Sequence, residues 1–448
     1  MASRIDSIYA RYQPRNAPGC VVGVFQNGAI VYEKGYGSAN LEYEAPITPR
    51  TPFIMGSVSK QFTAAAIALL VEDGKLKLTD DVRRYVPELH DYGKTITIDH
   101  LVHHTSGLRD FWTLVQTADM RNDDGYTSGD VLRLAARQKQ LNFVPGAEYN
   151  YSNTGYVLLG IVVERVSGKS LRAFAEERIF APLGMTHSHF HDDHTELDAG
   201  RAAAYSPGPN GGWKMNVWNN DIVGQGGLMT TLEDLQKWDE NFYTGRVGGR
   251  ALLARQLQQG VLNDGTKLPY AFGLEVLEYR GLPMVEHSGV TGGYRTALTR
   301  FPTAHTSVAT MCNMSSANSV ALTHGVADIV LASAFTKPAP AAARATSVAQ
   351  SGASPATYDS QALARFTGRY YSDELDATFE IARAGSALLL RRPRSGPDTL
   401  RALATAGVFR AGNLTLAFQS SPASAASFTV DAGRARGIEF RRVASDPR

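Results

Sequence analysis

The sequence predicts a mixed α/β (α+β) chain: an antiparallel sheet flanked by helices and carrying a helical subdomain, followed by a C-terminal antiparallel β-barrel. Three observations lead there. β-rich runs occur early (19–35) and late (286–314) with mostly helical pattern between them, so one sheet must be closed by both chain ends. Residues 336–357 are rich in Pro, Ala and Ser and have no apolar face, the composition of a linker. Beyond them, eight short alternating runs punctuated by Gly and Pro fit a small barrel. The expected organisation is a sheet-and-helix domain at 1–335, a linker at 336–357 and a barrel at 358–448.

Each element has its own local cause. Met1 to Tyr12 reads as a helix, and it lacks the apolar core of a signal peptide. The chain is therefore expected to be cytoplasmic, or periplasmic or secreted after removal of an export signal. Gly19–Gln26 and Ala29–Gly35 are strands joined by Asn27-Gly28, a pair that tolerates the positive φ of a hairpin turn. A helix runs from Ser57 to Glu72 with Gly74 as its stop, and others cover Thr154–Val166, closed by Gly168, and Leu171–Phe180, ending before Pro182. Strands return at Glu286–Ser288, Thr296–Phe301 and Thr306–Met314, and a helix follows over Ser319–Phe335. The barrel strands are expected at Gly368–Tyr371, Thr378–Ala382, Leu388–Arg392, Leu400–Ala404, Val408–Ala411, Leu414–Gln419, Phe428–Asp431 and Gly437–Val443.

Composition narrows the function. Of 448 residues, 43% are hydrophobic and 20% charged, enough for a large core. A net charge of +2 without a basic block argues against nucleic acid as a partner. From residue 358 on, 13 Arg stand against 9 acidic residues with no Lys, read as a solvated barrel surface. The longest apolar runs, Ala64–Val71 and Tyr156–Val163, fall far short of the ~20 residues of a membrane span. The only two cysteines, Cys20 and Cys312, each sit in an apolar run and are expected to be buried free thiols.

Chemistry concentrates in three places. Ser57-Val-Ser-Lys60 puts a hydroxyl at a helix N-terminus and an amine one turn on, within reach of it. A Lys surrounded by protein sheds its proton near neutral pH and can activate the hydroxyl. Tyr151-Ser-Asn153, just before a helix, offers a phenol and an amide to one cleft, and His287-Ser288-Gly289-Val290 begins a strand whose glycine allows close backbone approach. Two other groupings compete. His104-Thr-Ser106 precedes the Tyr-x-Asn element, and His187-Ser-His189-Phe-His191-Asp-Asp-His194 lacks a second ligand cluster. Neither a Gly-x-Ser-x-Gly elbow nor His-Glu-x-x-His occurs.

In this order and at these separations, the three pieces resemble the penicillin-recognising serine hydrolases, and the Tyr-x-Asn and His-x-Gly forms resemble the class C β-lactamase-like branch. The stretches Thr51–Ala64, Leu101–Leu108 and Gly224–Leu228 are similar to that family much as they stand, over residues 1 to about 335, and the tail resembles the lipocalin-like barrel of some members. The resemblance implies Ser57 as nucleophile, Lys60 as its base and Tyr151 as proton relay, with Asn153 holding substrate. The oxyanion would lie between the N–H groups of Ser57 and Val290, with His287, Ser288 and Gly289 lining the substrate strand. The resemblance also implies a structural loop at His104–Ser106 and a polar loop rather than a metal site at His187–His194. It implies an acyl-enzyme hydrolase of esters, D-amino-acid amides or peptides, or weakly of β-lactams, needing no metal or organic cofactor. A peptidyl thioesterase/cyclase and a non-catalytic receptor of the same fold are the alternatives. His287 stands where the β-lactamases commonly carry Lys; with an ordinary pKa of ~6.5 it is expected to titrate near neutrality and to govern charge in the cleft.

Overall fold

The computed structural model describes residues 1–121, 123–339, 356–419 and 425–444. Most of the expected linker, 340–355, lies outside the described residues.

The chain opens with helix α1 (Ala2–Ile8), continued by a 3₁₀ turn at Ala10–Tyr12. Strands β1 (Cys20–Gln26) and β2 (Ala29–Tyr36) form the Asn27-Gly28 hairpin, with φ of 50° and 78° at its two turn residues. They close a six-stranded antiparallel sheet with four late strands: β3 (Glu275–Tyr279), β4 (Leu282–Thr291), β5 (Tyr294–Phe301) and β6 (Thr306–Cys312). The order is β3-β4-β5-β6-β1-β2, so the first strand of the chain pairs with the last strand of the sheet.

β1 reads as a continuous apolar run because both faces of the sheet are covered. Val22 and Val24 pack into the cluster of Ile5, Tyr9 and Val326, on the side of α1 and of the late helix Ser319–Val330. Val21 and Phe25 face the opposite core with Leu232 and Leu235. Gly23 is small for a reason: a Cβ there would stand 2.6 Å from the Leu232 side chain. Helix α2 (Lys60–Glu72) is buried from Lys60 to Leu70, and α3 (Asn153–Ser167), ended by Gly168 in the left-handed conformation, is buried from Asn153 to Val163. Helices apolar on every face belong in a core, and together these two form the floor of the helical subdomain.

Eight consecutive antiparallel strands between Gly368 and Val443 close into a barrel. Alternation puts Phe379, Phe428 and Phe440 inside, with Phe428 and Phe440 stacked at a centroid separation of 5.0 Å. The barrel is docked on the helical subdomain: Leu114 and Ala118 join its apolar cluster. The fully buried Arg109 reaches Glu374 (2.8 Å), Gln138 (2.9 Å) and the Arg436 carbonyl (2.9 Å).

Four expectations are corrected. Cys20 and Cys312 are not free thiols: they lie opposite each other across β1 and β6 and are joined in a disulfide. At a sequence separation of 292, only closure of the sheet by both chain ends makes them neighbours. The helix from Leu171 does not stop before Pro182; it passes through a π turn at Glu176–Phe180 and ends at Leu183, just after Pro182, with Gly184 in the left-handed conformation as its cap. The late helix ends at Val330 rather than Phe335. β3, whose residues are partly exposed on the sheet edge, carries too little alternation to have been expected.

Candidate active site

The short strand Phe53–Ile54 delivers the chain to a 3₁₀ turn, Gly56–Ser59, that leads directly into α2. Gly56 has φ 53°, and a Cβ on it would stand 2.9 Å from the Val290 nitrogen, so β4 passes against the turn that carries Ser57. Gly289 is as constrained: its Cβ would meet the Met55 carbonyl at 1.9 Å. Alternation along β4 buries His287 and Gly289 and exposes Ser288 and Val290. The 224–228 stretch lies on the other side, where the Leu228 carbonyl accepts from Met55 N (2.8 Å) and the Leu228 N–H donates to Ser59 Oγ (3.1 Å).

Lys60 is fully buried and donates three hydrogen bonds from Nζ: to Ser57 Oγ (2.9 Å), Asn153 Oδ1 (2.9 Å) and the Gln225 carbonyl (2.6 Å). Burial lowers its pKa well below the ordinary amine range, Asp110 opposes the shift and Arg434 adds to it. Tyr151 stands over the same amine, with Nζ 4.9 Å from its ring centroid. Burial raises its phenol above the ordinary range, while the Ser57 hydroxyl pulls the other way. A lysine driven toward its neutral form beside a phenol held protonated is a base next to an acid.

Asn153 is engaged at both ends of its amide. Oδ1 accepts from Lys60, while Nδ2 and the backbone N–H both donate to Asp110 Oδ1, at 2.8 and 2.7 Å. Whereas the resemblance implied a hold on substrate, the contacts Asn153 makes here orient the lysine.

His287 departs from expectation. Its Nδ1 lies 2.7 Å from the Ser288 carbonyl, which can only accept, so Nδ1 carries the proton and Nε2 accepts from the Tyr270 hydroxyl at 3.1 Å. Burial, then the charge of Lys60, lowers its pKa to about 3. The imidazole is neutral at working pH and does not govern the charge of the cleft. His104, read as a loop residue, is buried with its ring 4.1 Å from that of Tyr151 and accepts from the Ser152 N–H (3.2 Å). It buttresses the tyrosine.

Sequence reasoning missed Tyr270, Asp110, Gln225 and Arg434. Arg434 lies in the turn between the last two barrel strands, Ser427–Ala432 and Ala435–Val443. Its guanidinium is 3.3 Å from Asp110 Oδ2, donates to the Tyr151 carbonyl (3.4 Å) and lies 5.6 Å from the Tyr151 ring centroid. Gln225 lies within the family-like stretch Gly224–Leu228, whereas Tyr270, Asp110 and Arg434 carried no local signal, since each arrives from a different segment. The histidines grouped closely enough with carboxylates to hold a metal, His189, His191 and His194, lie outside this site.

An α+β core with a Ser-x-x-Lys pair, its lysine buried, at the N-terminus of its central helix, faced by Tyr-x-Asn and by an edge of the sheet, defines the class of serine hydrolases that the sequence resembled. The chain belongs to the Beta-lactamase family, whose model matches residues 5–332. It is 27% identical over 321 residues to the D-aminopeptidase of Gluconobacter oxydans (strain 621H), covering 72% of this chain and 60% of that one. It is 29% identical over 289 residues to the D-aminopeptidase of Brucella anthropi, covering 64% and 55%. The chain thus spans little more than half the length of these curated relatives. An octameric penicillin-binding protein homologue from Pyrococcus abyssi superposes with a TM-score of 0.67 at 24% identity over 98% of this chain and 99% of that one, a likeness of fold that takes in the barrel. Among the described residues, no helix is long and apolar enough to cross a membrane.

Proposed function

We propose that this protein is a serine hydrolase that cleaves an amide or ester through an acyl-enzyme, with D-amino-acid amides or short peptides as the leading substrate class. The single observation that carries the reading is the 2.9 Å contact between Ser57 Oγ and the buried Lys60 Nζ. In the first half-reaction, neutral Lys60 takes the Ser57 proton as Oγ attacks the carbonyl carbon. The oxyanion is received by the N–H groups of Ser57 and Val290. The tetrahedral adduct collapses when the Tyr151 phenol protonates the leaving amine or alkoxide, and Lys60 returns a proton to Tyr151. Water then repeats the attack on the Ser57 ester and frees the acid. The pKa directions support this division of labour, with the base lowered and the acid raised.

The substrate class rests on the two D-aminopeptidase relatives. The neutral state of His287 supports it further, since no permanent cation stands where the β-lactamases commonly carry Lys. The Cys20–Cys312 disulfide supports the periplasmic or secreted alternative for its location, because disulfides persist in oxidising compartments.

The test is an activity panel of D- and L-amino-acid p-nitroanilides, p-nitrophenyl esters and a chromogenic cephalosporin, with Ser57→Ala as blank. D-selective amide cleavage that disappears in the blank is expected. Turnover that survives Ser57→Ala would falsify the mechanism. Cleavage confined to esters or to the cephalosporin would remove the substrate class and leave the mechanism standing.

A further inference from the structure

The run from His187 to His194 looked like a polar loop for want of a second ligand cluster, and folding supplies one. His189, in the short strand His189–Phe190, presents Nε2 3.4 Å from His191 Nδ1. The chain then turns back, so that Asp198 Oδ1 stands 3.7 Å from His189 Nε2 and Asp198 Oδ2 stands 3.2 Å from His191 Nδ1. Ligands bound at 2.0–2.1 Å around a tetrahedral ion lie about 3.3 Å apart. The three side chains already hold close to that spacing.

Two further observations point to a cation. His191 is fully buried, and the buried Asp198 Oδ2 meets no well-aligned donor, His191 Nδ1 at 3.2 Å lying off the hydrogen-bond direction. His189 and Asp198 also line a cavity of about 580 Å³, room for a water or small anion in a fourth position. Glu196 Oε2, held by Arg172, stands farther off, 3.9 and 4.0 Å from the two ring nitrogens.

We propose that His189, His191 and Asp198 bind one divalent transition-metal ion of the zinc class in a structural role. Two imidazoles and a carboxylate suit such an ion better than Mg²⁺ or Ca²⁺, which take oxygen ligands. Arg201 Nη1 lies 3.2 Å from His191 Nε2. A guanidinium only donates, so without an ion the His191 proton sits on Nδ1. Loading moves it to Nε2, and the partly exposed Arg201 turns aside. Such an ion ties the 191–198 segment to the strand His189–Phe190. The position matters to the active site, because Met229 pairs with His189 on one side and with Ile54, three residues before Ser57, on the other.

The test uses the full chain, tag-free and stripped with chelator, titrated with Co²⁺ and then Zn²⁺ and read by visible absorption and elemental analysis. One ion per chain, a tetrahedral-type Co²⁺ spectrum displaced by Zn²⁺, and a melting temperature raised by Zn²⁺ are expected. His191→Ala and Asp198→Asn should each weaken binding at least about tenfold. His187→Ala, in the same run but bonded to Thr186, should leave it unchanged. Where His191→Ala does not fold, His189→Ala, with a partly exposed side chain, replaces it. Failure to take up stoichiometric Zn²⁺, or uptake that survives both ligand substitutions, overturns the proposal.

Discussion

Arg434 of the C-terminal barrel lies 3.3 Å from Asp110 Oδ2, while the other oxygen of that carboxylate holds the backbone and side-chain N–H groups of Asn153. Asn153 in turn accepts from Lys60, whose amine holds Ser57. A turn more than 370 residues from the serine is thus two side chains from the base. Lys60 is fully buried, so what surrounds Arg434 bears on the catalytic charge.

Ser57 and Lys60 act as one unit. Ser57→Ala and Lys60→Met should each lower kcat by at least about a thousandfold. A fluorophosphonate should add its mass to the peptide containing Ser57 in the parent alone. Labelling of the Ser57→Ala chain would remove the assignment.

The rate on a neutral ester should rise with pH as Lys60 sheds its proton, and because burial lowers that amine, the rise should fall well below the ordinary lysine range. Arg434→Met removes a neighbouring positive charge, so the Lys60 pKa should rise and the acid limb move to higher pH. His287→Asn should leave that limb where it is, since the imidazole does not titrate near neutrality. Profiles of kcat/KM for the three proteins decide this, and an unmoved limb in Arg434→Met would show that the arginine is electrostatically silent.

His287 should instead be visible in acid stability. Its folded pKa of about 3 lies below the unfolded ~6.5, so below the unfolded value the unfolded chain binds a proton that the folded chain refuses. This contribution is intact above pH ~6.5 and is lost as pH falls toward the folded value, at up to about 1.4 kcal/mol per pH unit. Urea midpoints measured between those limits should fall less steeply in His287→Gln than in the parent.

Reduction of the Cys20–Cys312 bond should lower stability by about 2–4 kcal/mol while leaving the active-site geometry in place. Thermal melts with and without reductant, and of Cys20→Ser/Cys312→Ser, measure the loss; identical melts would mean that the sheet alone holds the two chain ends.

Removing the barrel should be severe. It would expose Leu114 and Ala118 and leave the buried Arg109 guanidinium without Glu374 and the Arg436 carbonyl. A chain cut after residue 339 is expected to aggregate or melt well below the parent, and Glu374→Gln should reproduce part of the loss. Sequence composition, which suggested two units on an open linker, carried no sign of this docking.

What the sequence by itself determined was most of what depends on neighbours along the chain, helix ends and the edge strand β3 excepted. The Asn27-Gly28 hairpin, the helix into which Ser57 leads and the eight barrel runs follow from turn chemistry and from periods of 2 and 3.6 residues. The meeting of Ser57 with Lys60 follows from a single helical turn. The tertiary structure alone decided which distant groups share a buried volume. It joined Cys20 to Cys312, brought Tyr270 to His287 and Asp110 to Asn153, and turned a barrel arginine toward Tyr151. It also reversed the reading of His287, because ionisation answers to the dielectric around a ring and to a charge across the cleft, and neither is written in the residues beside it.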